Sequence, residues 1–471
     1  MNSRKPHSFE GAARVAEAYG DSNLSPFREA WAERNVDEKT RVLLDEDARH
    51  FLHQSISTPC LSAIRKAEGI WIEDMAGRRY MDFHGNNVHN IGYGHPRLIE
   101  AVKRQLDELS FTPRRFTDEP AIALARKLAE ISPGDLGKIF LTTSGSDAIE
   151  TALKLARGVT GRFKTVSFWD SFHGANFGGL SVGGEAFFRS GSVGPLLPGT
   201  EHVAPFACYR CPYGYKDIDG QPDLEVCKMT CADFVRYVLE KEGDVAAVIA
   251  EPVRSLPYFP PPGYWQAVRA ACDEHGALLI FDEIAYSLGK SGRMFTCEHF
   301  EAVPDILCLG KALGGGVIPV AAVVAKPELD VLGNRAFGHY THEKNPVSCR
   351  AALTTIEIVE EEGLVENARR VGGRALERLH EMANKHRLIG NVRGFGLILG
   401  VELVRDPETK EPAAKEADAV MYRALEKGLS FKTSMGNVLT LTPPLIISAE
   451  QMDLAFDILD SALGEVEQRI A

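Results

Sequence analysis

The chain has 471 residues, with 53 lysines and arginines against 65 aspartates and glutamates, and a formal net charge of -12. That acidity, without a long basic run, argues against a nucleic-acid surface, while 44% hydrophobic and 25% charged residues are usual for a soluble globular chain with core enough for two domains. No apolar stretch is long enough to span a bilayer, and residues 1–7 lack the apolar segment of a secretory signal, so a cytoplasmic location is expected.

In chain order, residues 1–50 are polar with helical signals at 12–19 and 27–34, and are expected to form an arm that packs on the body or on a neighbouring subunit. Residues 71–83 alternate about Ala76-Gly77, the pattern of a β-hairpin, within a segment (51–95) expected to join the smaller domain. A polar loop, His84-Gly85-Asn86-Asn87-Val88-His89-Asn90, follows. Helices are predicted over 96–109, where Leu98, Ile99, Val102 and Leu106 share a face, and over 120–131. Between them, Arg114 and Arg115 suit either an anionic substrate or a solvated loop.

From 138 to 324, short apolar runs at 138–142, 165–168, 245–250, 278–281, 307–309 and 320–324 alternate with helical periods. This is an α/β pattern: a mostly parallel sheet covered by helices on both faces, expected to form a large domain over 96–344. Residues 345–471 read as a smaller α+β domain, with helices over 345–362 and 366–385, strands at 389–392, 398–403 and 438–441, and a helix after Ser448. Nine cysteines are an odd number for a disulfide framework, so reduced thiols are expected. The pairs Cys208-x-x-Cys211 and Cys227-x-x-x-Cys231 have zinc-compatible spacing; reduced thiols without metal are the preferred reading, because no histidine or turn glycine flanks the second pair.

Two phrases carry chemistry. Phe281-Asp282-Glu283-Ile284 ends a buried strand with an acid, and Gly310-Lys311, followed by Gly314-Gly315-Gly316, ends another with a lone amine. Either alone is commonplace, as a helix cap or a surface turn. Together they suit pyridoxal phosphate, whose aldehyde needs an amine and whose ring nitrogen needs an anion to keep its proton. Thr143-Ser144-Gly145-Ser146-Asp147 opens a helix and offers free N–H groups to a phosphate, though the same residues make an ordinary N-cap. Phe172, just after a strand end, could stack on a pyridine ring or belong to the core.

From Ser57 onward the chain resembles the class III aminotransferases, pyridoxal-phosphate enzymes of fold type I. The likeness is carried by Ser144-Gly145-Ser146, Phe172-His173-Gly174, Glu251-Pro252-Val253, Asp282-Glu283, Lys311 with its glycines, Thr341 five positions before Pro346, and Pro443-Pro444-Leu445. The resemblance implies that Lys311 forms the Schiff base and shuttles protons, and that Asp282 pairs with the pyridinium. It also implies that Gly145 and Ser146 hold the phosphate, that Glu251 sits near the ring, that Ser144 and His173 belong to the cofactor-binding set, and that Ile284 packs opposite Phe172. Thr341 would reach the phosphate in the partner subunit, making a homodimer the smallest competent unit.

The chain departs from that family twice. Thr440 stands where an arginine usually forks onto the substrate carboxylate, and Ala285-Tyr286-Ser287 replaces a Gln-Thr-Gly phrase. Several phrases, among them Pro113-Arg114-Arg115-Phe116 and Gly338-His339-Tyr340-Thr341-His342, are most similar to a branch of ammonia-lyases acting on a hydroxylated aminoethylphosphonate, whereas Ser146-Asp147-Ala148-Ile149-Glu150 is closer to ordinary aminotransferases. The leading expectation is therefore a lyase for a small β-hydroxy amine with a phosphonate-type anion, with Arg114, Arg115 and Arg254 as candidates for that anion and no metal. A transaminase for an amine or ω-amino acid is the alternative, and a non-catalytic cofactor-binding subunit is a third.

Overall fold

A computed structural model describes residues 25–54, 60–218 and 220–470, so the helical signal at 12–19 lies outside the described residues. The 27–34 signal belongs to a helix over Pro26–Asn35, capped by the Ser25 side chain and started by Pro26 at its first turn. Its Trp31 is buried. Strand β1 (Ile64–Glu68) pairs antiparallel with β2 (Trp71–Asp74), which turns into β3 (Arg79–Asp82) as the hairpin pattern predicts. Asp74 fixes that turn: its Oδ1 accepts from the Ala76 and Arg78 N–H groups at 3.0 and 2.9 Å.

The central sheet is built from β4 (Lys138–Thr142), β5 (Lys164–Phe168) and β6 (Thr200–Val203), then, beyond a small hairpin of β7 (Asp217–Ile218) and β8 (Gln221–Pro222), from β9 (Val245–Ala250), β10 (Leu278–Asp282), β11 (Ile306–Leu309) and β12 (Ala321–Ala325). Its seven strands lie in the order β4-β12-β11-β10-β9-β5-β6. Only β12 is antiparallel to its neighbours, so β4, β5, β6, β9, β10 and β11 all point the same way. The mostly parallel sheet is as expected; β6 was not foreseen, because Thr200-Glu201-His202-Val203 is a short polar edge strand without an apolar run.

Every residue of β9 is buried, as in a strand covered on both faces. Alternation divides it: Val248 and Ala250 join one core cluster, Ala247 and Ile249 the other.

The C-terminal part opens with helices over Pro346–Glu361 and Leu364–Lys385, then β13 (Ile389–Phe395), β14 (Ile398–Asp406) and the two-residue β15 (Glu411–Pro412). After a helix over Ala414–Glu426 come β16 (Leu429–Ser430), β17 (Lys432–Ser434), β18 (Val438–Leu441) and a helix over Ala449–Ile470. The antiparallel order is β13-β14-β18-β17, while β16 leaves this sheet to run parallel beside β3. The sequence reading missed β16 and β17 because both are too short to show a period. A third core cluster therefore mixes Trp31, Phe83 and Leu98 with residues from 347 to 466. No helix among the described residues is long and apolar enough to cross a membrane.

Candidate active site

Parallel register carries the acidic residues to one edge. Phe281 pairs with Ala250 and Asp282 with Cys308, so Glu251, the residue just after β9, comes out beside Asp282, and Lys311 follows β11 on the same edge. The C-terminal end of β4 lies there too and feeds the helix Gly145–Thr160, whose N-cap Ser144 accepts from the Asp147 N–H at 3.1 Å. Carboxyl ends of parallel strands and a helix N-terminus thus frame one cleft, the usual ligand position in an open α/β sheet. Its lining includes Ser144, Gly145, Ser146, Phe172, His173, Glu251, Asp282, Ile284 and Lys311. The structure brings together all the cofactor-contact candidates except Thr341, which is exposed on the loop before the helix Pro346–Glu361.

Asp282 is buried and accepts at Oδ1 from the Ile284 N–H at 3.0 Å, while Oδ2 lies 2.8 Å from His173 Nδ1. A carboxylate accepts, so Nδ1 carries the proton and the imidazole holds the acid in place. Sequence reasoning placed His173 at the site but not this contact, because nothing in Phe172-His173-Gly174 points to an acid 109 positions later. Glu251 is also buried; Oε1 accepts from the Ser255 N–H at 3.0 Å and Oε2 has no partner. Burial pushes its carboxyl above the ordinary range, with Asp282 adding to the rise and His173 opposing it.

Lys311 opens onto the cleft but is ringed by protein at its floor. Loss of water there, and next the charge of Lys432, lower the pKa of its amine, against the pull of Asp282 and Glu251. An amine that gives up its proton more easily suits nucleophilic and base chemistry. Its backbone sits at φ 44°, a left-handed conformation that a non-glycine residue adopts only when its surroundings enforce it. Gly315 just beyond is left-handed as well, and a Cβ there would come within 2.4 Å of Leu98.

The donor set suits a flat phosphorylated cation. An acid fixed by an imidazole can face a ring nitrogen, the unpartnered Glu251 Oε2 and His173 Nε2 are buried polar atoms on the cleft wall, and small residues leave the N–H groups of the helix start open. Gly145 has to stay small: a Cβ would meet Ile284 at 3.0 Å.

The sequence matches the class III aminotransferase family over residues 53–463. The chain belongs to the class III aminotransferases. Its cofactor is pyridoxal phosphate, and it is an enzyme of that chemistry. It is 46% identical to an (R)-1-hydroxy-2-aminoethylphosphonate ammonia-lyase of Vibrio splendidus, over 95% of each chain. It is 41% identical to a leucine/methionine racemase of Thermococcus litoralis, covering 86% of this chain and 90% of that one. Among solved structures, an amine transaminase from an uncultivated Pseudomonas species, in its pyridoxal-phosphate-bound internal aldimine form, superposes with a TM-score of 0.82 at 30% identity, covering 88% of this chain and 99% of that one.

Within this class III enzyme, the three arginines considered for a substrate anion lie apart. Arg114 is exposed, donates to Tyr340 O at 3.2 Å and lies 3.7 Å from Glu343; Arg115 is exposed beside it. Neither lines the cleft. Arg254 is buried behind the cleft, donating to Asp170 O with its guanidinium 5.5 Å from the Tyr258 ring. Thr440 is buried and its hydroxyl is taken by Ser434 at 2.8 Å. Cys208, Cys211, Cys227 and Cys231 line a separate apolar cavity that shares no residue with the cleft. Among the described residues no three potential ligands are arranged to hold a metal ion.

Proposed function

We propose that the enzyme is an ammonia-lyase acting on a small β-hydroxy amine that carries a phosphonate-type anion. The observation that carries this reading is the 46% identity with the aminophosphonate ammonia-lyase over 95% of both chains. Thr440 supports it, since a threonine cannot make the bidentate, charge-assisted pair that holds a keto acid's carboxylate.

When bound, the cofactor supplies an electron sink that acidifies the C–H next to the substrate nitrogen. In this reading Lys311 would hold the cofactor and, once a substrate amine is bound, would take the proton from the amino-bearing carbon. Asp282, held by His173, keeps the proton on the ring nitrogen. Glu251 would flank the ring, and Phe172 and Ile284, which line the same cleft, would hold its two faces. The open N–H groups of residues 144–146 bind the phosphate. Lys311 would hand that proton to the hydroxyl on the neighbouring carbon, which would leave as water, and the enamine would take up one water to give an aldehyde and ammonia, so no keto acid enters the balance.

In the same reading residues 96–344 bind the cofactor, and 51–95 with 345–471 close over it. Thr341 serves the partner's phosphate in a homodimer, and its exposure on the protomer is compatible with that role. Residues 1–50 act as an arm, and Arg114 and Arg115, solvent-facing on one protomer, are available to a partner's cleft. The absence of disulfides among the described residues is compatible with the cytoplasm.

The test is ammonia release from 1-hydroxy-2-aminoethylphosphonate by the purified holoenzyme, with and without pyruvate or 2-oxoglutarate. Aldehyde and ammonia formed without either acid is the expected result. The likeness to a solved amine transaminase favours the second reading, and strict dependence on a keto acid would establish it instead.

A further inference from the structure

Thr440 leaves the family's carboxylate position without a charge, but the strand beside it brings one back. The sequence Lys432-Thr433-Ser434-Met435-Gly436-Asn437-Val438-Leu439-Thr440 folds into the antiparallel pair of β17 and β18, with Lys432 directly opposite Thr440. Directly opposed residues project from the same face of a sheet, so a cation emerges from the neighbouring strand.

The backbone of Phe83 is clasped between these strands: its N–H donates to Ser430 O at 2.8 Å and its C=O accepts from Thr442 N–H at 2.7 Å. Ser430 is two residues before Lys432 and Thr442 two after Thr440, so the clasp sets His84 beside the pair. No hydrogen bond or ion pair among the described residues engages the Lys432 ammonium, and His84 Nδ1 is buried without a partner.

On the same face Gly400, opposite Thr440 on β14, packs against Pro257, two residues beyond Ser255 of the cleft lining, and the turn of residues 85–87 just after His84 packs on the turn that carries Lys311, so the pair stands next to the cleft. Burial first, and then the Lys432 charge, hold His84 down to about 3, so its ring is neutral at pH 7 and offers one N–H. The same Lys432 charge acts on the Lys311 amine. The acid that feels Lys432 is Glu185, pushed up to about 7 by burial and then by Glu251, so it offsets the cation only in part near neutrality. By contrast, Arg254 is committed to Asp170, and Arg114 and Arg115 do not line the cleft.

We propose that Lys432, assisted by the His84 N–H, is the substrate's anion anchor and that the group it holds is a tetrahedral phosphonate. This rests on the aminophosphonate reading above and names the residues that take the anion. A planar carboxylate is matched by the fork of a guanidinium. An ammonium is a point charge with three rotatable donors, and with an N–H arriving from a second direction it can meet two oxygens of a tetrahedral group.

The test uses the holoenzyme and the variants Lys432→Met and Lys432→Arg, with methylphosphonate and acetate as binding probes in calorimetry alongside steady-state kinetics on 1-hydroxy-2-aminoethylphosphonate. Lys432→Met is expected to weaken methylphosphonate binding and raise KM about 10- to 100-fold with a smaller change in kcat, and Lys432→Arg to recover part of both losses. The visible cofactor spectrum verifies that each variant folds and is loaded. Equal methylphosphonate binding by wild type and Lys432→Met, or a loss confined to kcat, overturns the assignment. Acetate binding more tightly than methylphosphonate overturns the phosphonate part. If the wild type eliminates no aminophosphonate, the lyase reading fails, while calorimetry still decides whether Lys432 holds an oxyanion.

Discussion

Lys290 offers a direct test of the electrostatics beneath the site. It is fully buried, in the Gly289-Lys290-Ser291-Gly292 turn, and its amine donates to Pro443 O at 2.9 Å. Burial lowers its pKa from 10.5 to about 7, with Asp82 opposing the drop; His89 is the other titratable group that feels its charge. Below about 7 the amine is charged in the folded and the unfolded chain alike, and folding carries the full cost of burying the charge. As pH rises past 7 the folded chain releases the proton while the unfolded chain keeps it, so stability is gained up to 10.5 and lost again on return to 7. At ~1.4 kcal/mol per unit the whole window is worth about 5 kcal/mol, of which about 2.5 kcal/mol falls between pH 7 and 9.

Lys290→Met keeps the length and removes the titration. Urea unfolding of wild type and variant holoenzyme from pH 6 to 9 isolates this one group, because the other titrations are common to both proteins. The wild type is expected to gain on the variant by about 2.5 kcal/mol from pH 7 to 9. A difference that stays flat over that range would mean that the amine keeps its proton when folded, and would refute the reasoning.

Three further outcomes follow from the same geometry. Asp282→Asn retains the acceptor for Ile284 N–H but loses the charge that faces His173; the variant should bind cofactor and lose about 10²–10³-fold in kcat, read by ammonia release beside the visible spectrum. Gly315→Ala sets a Cβ 2.4 Å from Leu98 Cδ2 and 2.6 Å from Thr355 Oγ1 at a φ of 62°, and should cost about 2–3 kcal/mol in urea unfolding. Glu283 accepts from the Thr296 and Cys297 N–H groups at 2.6 Å each, so Glu283→Gln, which turns an NH2 toward one of them, should destabilise by about 1–3 kcal/mol, with the asparagine variant at 282 as a comparison for a nearby acid at the same strand end.

Local pattern carried much of the site. Strand-end acids, a lone lysine before glycines and a hydroxylated helix start are legible because each needs only a few adjacent residues and a fixed secondary structure. The helix starting at Pro346 and the strands at 245–250 and 278–282 were legible for the same reason: their apolar periods are long and unbroken.

What remained hidden depends on pairing between distant segments. The Asp282–His173 contact, the clasp of Phe83 between Ser430 and Thr442, and the placing of Lys432 opposite Thr440 join residues that share no local pattern. The sequence by itself determined the mostly parallel sheet and the absence of an arginine at position 440, since apolar runs and short phrases encode them. Only the tertiary structure decided that a lysine on a three-residue strand faces the vacated position, because register and burial arise when the sheet closes.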